Sequence, residues 1–516
     1  MSNARVYARN LAANWIGHGA SMLVLFFLSP FVIHTLGNVQ YGIWSLLAVL
    51  TGYMGILDLG VRASTGRHIT LYIGKEDYKS VDETIRTSLA FFSAVGILIV
   101  SVGVALGWAF PKAFSSVPIE YHALVRLLLP ILALNMWITT FGSVLASVLI
   151  AHDRFDLSNA VGLVTLAIRT AGTVLVLNAG MGLLGLTLIV VGCNVLGVIV
   201  TWMLARKVYR RLKVWPFVFS KLRMREILGY GVAAFVSAIA IKIIGQTDLV
   251  IVGATIGIEE VTTYSVGAML IYYSSTFIRQ IGGTFFPPVQ RAVAKGEMEW
   301  ARWLFFRQVR LSLICGLPIY IGFIIFAEPF IRLWMTGPNF PQSAVESAAL
   351  VMGILAGSKL FYLLTVGSGG LLAAMGHIWF NAAVAIIEAG LNLGLSLLFV
   401  LGFGWGLAGI AAGTLVSLLM VGTFIQPCYA CKKAKIAWRS FLVNVVRPGL
   451  LGGFLFAIPC LAIRHMLLTD SWGIFLLQVV SALVAYCPVA LWVLLPTEDR
   501  RRFVVRFRAL RYRERV

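Results

Sequence analysis

The chain has 516 residues, 59% of them hydrophobic and only 12% charged, with a mean hydropathy of +0.89. That balance excludes a soluble globular protein: a bilayer-spanning helix needs ~20 mostly apolar residues, and fourteen such runs fit the chain. A net charge of +21 would suggest nucleic acid in a soluble protein. Here it is read as basic residues gathered on the cytoplasmic ends of spans, with no nucleic-acid partner.

Arg5 and Arg9 precede the first apolar run, Leu11 to Leu36. This run is longer than the roughly 7–15-residue core of a signal peptide and is expected to be an uncleaved first helix, kinked at Pro30. His18 and His34 read as packed or interfacial, since no metal-like cluster surrounds either. The spans are expected at 11–36, 42–69, 85–110, 121–151, 158–179, 183–205, 226–252, 261–286, 303–327, 342–373, 380–402, 405–427, 441–466 and 472–496.

The second span holds a carboxylate, Asp58, with Arg62 four residues on. A charge inside a spanning helix costs ~2.5–3.5 kcal/mol on insertion scales, so it normally meets a partner or a water-filled cavity. The i,i+4 spacing places the two on one helix face, and Gly52, Gly55, Gly60 and Gly66 let neighbouring helices approach closely. Two readings stay open: an internally neutralised structural pair, or charges turned toward a cavity.

With the amino terminus inside, the cytoplasmic segments hold 33 Lys and Arg and the outer loops hold two, Lys112 and Arg332. This bias predicts that both termini are cytoplasmic. The chain also repeats itself. Asn159-Ala160 and Gly172 recur as Asn381-Ala382 and Gly394 at an offset of 222, and Gly180, Gly182-Leu183 and Gly185 recur as Gly404, Gly406-Leu407 and Gly409 at 224. Six spans per repeat predict parallel repeats about an axis along the membrane normal, with a cavity between the halves.

The expected organisation is an N-lobe over 1–205, a basic cytoplasmic linker over 206–225, a C-lobe over 226–427, a cytoplasmic loop with spans 13 and 14 over 428–496, and a basic cytoplasmic tail over 497–516. The linker is expected either to lie on anionic inner-leaflet lipids, with Trp215, Phe217 and Phe219 at the interface, or to serve as a topological anchor. The tail places Phe503, Phe507 and Leu510 on one stripe among arginines, the pattern of an amphipathic surface helix. Cys428 and Cys431 form a lone CxxC, without the two further ligands a zinc site needs.

The second span carries LGxxxYGIW (Leu36 to Trp44) followed by GYxxxLDLG (Gly52 to Gly60). In this it resembles the polysaccharide transporter family of Wzx-type lipid-linked oligosaccharide flippases. Their superfamily also holds multidrug-and-toxin exporters and lipid II flippases. The resemblance implies an all-α polytopic membrane protein of about 14 transmembrane helices, two parallel six-helix lobes plus two extra helices. It also implies a bacterial inner-membrane location and a flippase that moves undecaprenyl-pyrophosphate-linked oligosaccharide to the outer leaflet by alternating access. A lipid II flippase or a cation-coupled multidrug exporter is the alternative. The protein is expected to act as a monomer alongside glycan polymerase machinery.

Ionisable residues inside the apolar runs suit that role. Arg126, Arg169, Lys242, Arg279 and Lys359 outnumber Asp248 and Glu388, and such an excess calls for something anionic. Arg169, Lys242, Arg279 and Lys359 are the candidate cationic cavity, with Tyr272, Tyr273, Ser274 and Ser275 offering bonds to sugar hydroxyls. Asp58, Asp248 and Glu388 are candidates for a coupling proton or sodium ion, and no other cofactor is expected. A membrane polymerase or ligase would need a sizeable outer loop, whereas the longest outer connection runs only from Glu328 to Pro341.

Overall fold

In lipid only a helix or a closed barrel satisfies its own backbone, and every long element of this chain is an α-helix in the computed structural model, which describes residues 2–215, 218–337, 339–495 and 500. Phe217, the tail stripe of Phe503, Phe507 and Leu510, and the side chains of Arg5, Arg9, Asn14 and His18 lie outside the described residues. Eleven helical segments among the described residues are long and apolar enough to cross a membrane. The chain divides into two compact units, Met1–Thr262 and Thr263–Val516.

The first unit opens with α1 (Ser2–Met54), which runs through Pro30 and leaves helical geometry at Gly37 (φ 76, ψ 167). A continuous second span was expected across 42–69; instead the helix breaks. A single 3-10 turn covers Gly55–Asp58, Leu59 and Gly60 take left-handed φ values of 50 and 74, and α2 (Val61–Gly74) begins afresh. The cause is local. The Gly60 N–H donates to Asp58 Oδ1 at 2.8 Å, an Asx-type turn that competes with the helix, and glycine accepts the positive φ at little cost.

Next come α3 (Tyr78–Ala113), α4 (His122–Ala151), α5 (Phe155–Asn178), α6 (Gly182–Val208) and α7 (Lys221–Thr255). Small residues set the α3–α4 crossing. A Cβ at Gly96 would fall 2.1 Å from Trp137 Cδ1, and one at Gly103 would fall 2.5 Å from Ala133 Cβ, the close approach that replaces hydrophobic driving force in lipid. Val61, Val81, Ile85, Leu89, Val148 and Ile227 belong to one buried apolar cluster of this unit.

α7 belongs to this first unit. A Cβ on Gly52 would stand 2.8 Å from Gln246, and one on Gly253 would stand 2.8 Å from Leu46 Cδ1. At its start Arg223 pairs with Glu83 at 3.1 Å and Glu226 at 2.9 Å, and donates to the Tyr72 hydroxyl and Ser80 Oγ, each at 2.8 Å. The linker before α7 is therefore docked on the α2–α3 turn, with Trp215 and Phe219 still exposed. In that turn Asp77 caps α3 through the Ser80 N–H, and hydrogen bonds from the Ser80 side chain and backbone hold its carboxyl below the ordinary range. The cap's contribution is present above the unfolded carboxylate pKa and is lost as pH falls through the lowered one.

The second unit takes up α8 (Ile258–Ala294) from Thr263 onward. It continues with α9 (Met298–Ile325), α10 (Ala327–Met335), α11 (Gln342–Thr365), α12 (Ser368–Ala374), α13 (Ile378–Leu397), α14 (Gly406–Ser417), α15 (Ile425–Lys433), α16 (Trp438–Phe441), α17 (Arg447–Met466) and α18 (Trp472–Val489). Buried α9 organises it. Arg302 donates to the Ala434 carbonyl at 2.7 Å, Arg310 to that of Asn444 at 3.1 Å, and Tyr486 to that of Ile314 at 2.8 Å. These bonds hold the end of α15, the turn before α17, and α18 against α9. π-helical turns at Leu398–Gly402, Leu418–Gly422, Leu442–Val446 and Ala490–Leu494 interrupt the later helices.

Left-handed glycines stand before two of the helices. Gly180 and Gly182 take φ 74 and 51, and Gly404 and Gly406 take 67 and 56. The α2–α3 turn has Glu76 at φ 58, and the α8–α9 turn has Gly296 at 76.

Candidate functional site

Embedded charges collect in two places, one within each unit. In the first unit the break after α1 presents Asp58, whose Oδ2 lies 4.0 Å from Arg62 Nε. Their i,i+4 pairing survives, but across a helix break and not along one helix face. Lys242 of α7 joins them: Asp58 attracts it and Arg62 repels it. Its ammonium lies against Gly55, where a Cβ would sit 3.0 Å from Nζ and 2.5 Å from Met136 Cε. The missing side chain at Gly55 is what admits both groups. Arg62 Nη2 also reaches Thr140 Oγ1 of α4 at 3.4 Å.

One turn further along α7, the Tyr53 hydroxyl meets Thr247 Oγ1 at 2.6 Å and feels the charge of buried Asp248. Arg169, on α5, acts on Cys193 of α6, whereas the neighbours of Lys242 come from α2, α4 and the turn after α1. Arg126 stacks on Trp108 at 4.4 Å.

In the second unit Arg279 of α8 lies 6.0 Å from the Tyr272 ring and donates to Thr276 Oγ1 at 2.8 Å. It borders a cavity of about 270 Å³ lined also by Gly282, Phe286, Gln308, Tyr362 and Val366. Gly282 keeps that space open, because a Cβ there would come 3.2 Å from Gln308 Nε2. Lys359 Nζ sits 6.0 Å from the Tyr362 ring, and Glu388 of α13 feels the Lys359 charge. Tyr362 in turn feels Arg279 and Glu388, so it stands at the centre of the group.

Of the four sugar-binding candidates, Tyr272 is exposed and packs edge-on with Tyr273 at 6.0 Å. Ser274 and Ser275 donate to the Ile271 carbonyl at 3.0 and 2.6 Å. Their hydroxyl protons are committed to their own helix.

Each cluster thus sets two cations against one carboxylate: Arg62 and Lys242 against Asp58, Arg279 and Lys359 against Glu388. Among the described residues each group then has one more cation than carboxylate, and like charges in a poorly screened setting repel. Tyr362, Gln308 and the Arg223 hub were not singled out from the sequence. A tyrosine beside a cationic span position was the available signal for Tyr362.

Three comparisons bear on what such clusters serve. The protein is 23% identical to the low-salt glycan biosynthesis flippase Agl15 of Haloferax volcanii, over 92% of this chain and 94% of that one. It is 22% identical to the membrane protein EpsK of Bacillus subtilis over 97% of both chains. It is 21% identical to a protein of Shigella flexneri named as an O-antigen transporter, over 82% of this chain and 97% of that one. Among solved structures the fold matches the lipid II flippase MurJ in an inward closed conformation, with a TM-score of 0.69 and 16% identity over 94% of this chain and 98% of that one. The family model described as polysaccharide biosynthesis protein matches residues 36–338. The chain, with its many membrane-spanning helices, belongs to the polysaccharide biosynthesis protein family.

Proposed function

We propose that this protein is a flippase that carries an undecaprenyl-pyrophosphate-linked oligosaccharide from the inner to the outer leaflet for surface polysaccharide synthesis. It is a transporter and not an enzyme, and it works by alternating access of its two repeats, 1–205 and 226–427. The observation that carries this reading is the pair of embedded clusters, each with two cations against one carboxylate. Cations placed inside membrane-spanning segments in excess of carboxylates are costly unless they meet a partner or a water-filled cavity. A pyrophosphate accepts the short charge-assisted bonds that arginine and lysine offer. Each unit is taken by itself: Lys242, joined by Arg62, and Arg279 with Lys359 are the candidate phosphate ligands, and Arg169 remains a further cationic candidate. Tyr272 and Tyr273 take the sugar.

The 33-to-2 charge bias supports fourteen crossings of a bacterial inner membrane with both termini cytoplasmic. Glu388 and Asp248 are the groups in reach of a coupling proton or sodium ion.

Reconstitution tests the reading. Vesicles containing the protein, loaded with a lipid-pyrophosphate oligosaccharide in one leaflet, should expose the glycan to an impermeant glycosidase faster than protein-free vesicles do. Equal rates, together with uptake of cationic dyes, would point to a drug exporter instead.

A further inference from the structure

Asp58 is held by its own backbone turn more closely than by its arginine partner. Its Oδ1 accepts the Gly60 N–H at 2.8 Å, so the backbone of the helix break aims the group. Its Oδ2 reaches Arg62 only at 4.0 Å, whereas Arg223 meets Glu226 and Glu83 at 2.9 and 3.1 Å. A second cation, Lys242 of α7, lies beside the same turn, with its Nζ 3.0 Å from where a Cβ on Gly55 would sit, and it feels the charge of Asp58. The side chains stay reachable: Arg62 is 44% and Asp58 25% accessible.

We infer that Asp58 is a resident stand-in for the substrate's phosphate. In the empty protein it keeps the Arg62 and Lys242 charges close together. When the lipid-linked head group arrives, a phosphate takes both cations and Asp58 is released from them. Three features support the exchange. The carboxylate carries one charge and has an oxygen already committed to Gly60, so it compensates two cations incompletely. A phosphate brings more charge and more acceptor oxygens, and makes shorter bonds to the same donors. Asp58 need not move far, since its Oδ1 stays on the Gly60 N–H while Oδ2 gives up the cations. On the far side of the cycle the same carboxylate competes for the cations and helps to expel the head group. Asp58 therefore sets release as well as entry, and its removal acts on affinity with the opposite sign to removal of either cation.

The inference rests on the flippase reading, and one experiment separates the two. The full chain is placed in phosphatidylcholine nanodiscs and its equilibrium binding of undecaprenyl pyrophosphate is measured for the wild type, Arg62→Gln, Lys242→Gln and Asp58→Asn. Arg62→Gln and Lys242→Gln should each weaken binding about tenfold, the size of one charge-assisted hydrogen bond. Asp58→Asn should tighten it about threefold, as expected for a half-exposed ion pair, while glycan delivery in cells slows. Binding by Asp58→Asn that is unchanged or weaker, with the cation variants impaired, overturns the stand-in role and leaves the flippase reading intact. Absence of binding by the wild type contradicts the flippase reading itself. Asp58→Ser keeps an acceptor for the Gly60 N–H without the charge and is read in the same way if Asp58→Asn misfolds. Failure of both to fold also overturns the inference, because the load on Asp58 would then be structural.

Discussion

Arg223 and Arg62 show how differently two arginines of one unit are employed. Arg223 is saturated: two carboxylates, a phenol and a serine hydroxyl surround it, and its side chain is only 15% accessible. Removing it strands Glu83 and Glu226 with their hydrogen-bonding capacity partly buried. Arg223→Met should therefore lower stability by roughly 2 kcal/mol, the worth of bonds to charged groups discounted for partial exposure. A thermal unfolding scan in detergent checks this, and a midpoint equal to that of the wild type would contradict it. Arg62, loosely paired and half exposed, should show little such loss. In the sequence Arg62 stands inside an apolar run beside Asp58 and Arg223 stands in a basic linker, which would suggest that Arg62 is the one held by carboxylates. What separates them is which acidic residues the α2–α3 turn brings within reach, and those contacts are tertiary.

At the level of elements, apolar run length identified the helices well, because a backbone in lipid has no other way to satisfy itself. It failed at Asp58-Leu59-Gly60. An aspartate two residues before a glycine closes its own turn, and that local chemistry prevailed over the apolar context. The glycines were legible as sites of close approach, but not their partners. Gly42 is the sharpest case: a Cβ there would come 2.1 Å from the Ile258 carbonyl oxygen at the start of α8. A backbone atom cannot rotate away, so Gly42→Ala should force α1 from α8 where Thr262 Oγ1 now donates to the Asn38 carbonyl at 2.6 Å. A cysteine placed at Asn38 should then react with an impermeant thiol reagent several-fold faster in Gly42→Ala than in the parent. Equal rates would mean that the contact yields without opening.

For the whole molecule, the function class was legible because charges inside apolar runs are too costly to be incidental, and because LGxxxYGIW and GYxxxLDLG are carried intact. Which embedded charges work together was not legible. Arg62 and Lys242 lie on helices far apart in the chain, and Glu388 meets Lys359 only through the packing of the second unit. Four of the embedded cations fall in two groups with one carboxylate each, Arg62 and Lys242 with Asp58 and Arg279 and Lys359 with Glu388, and the central claim is that these groups serve the head group of the lipid-linked glycan. The most direct test replaces Arg62, Lys242, Arg279 and Lys359 singly by glutamine in cells. Lipid-linked precursor accumulation is then measured against the amount of protein in the membrane. The account predicts that precursor accumulates while protein abundance holds or rises, since each change relieves repulsion between like charges. Loss of abundance in step with loss of glycan delivery in all four variants would make these cations scaffold and contradict the account.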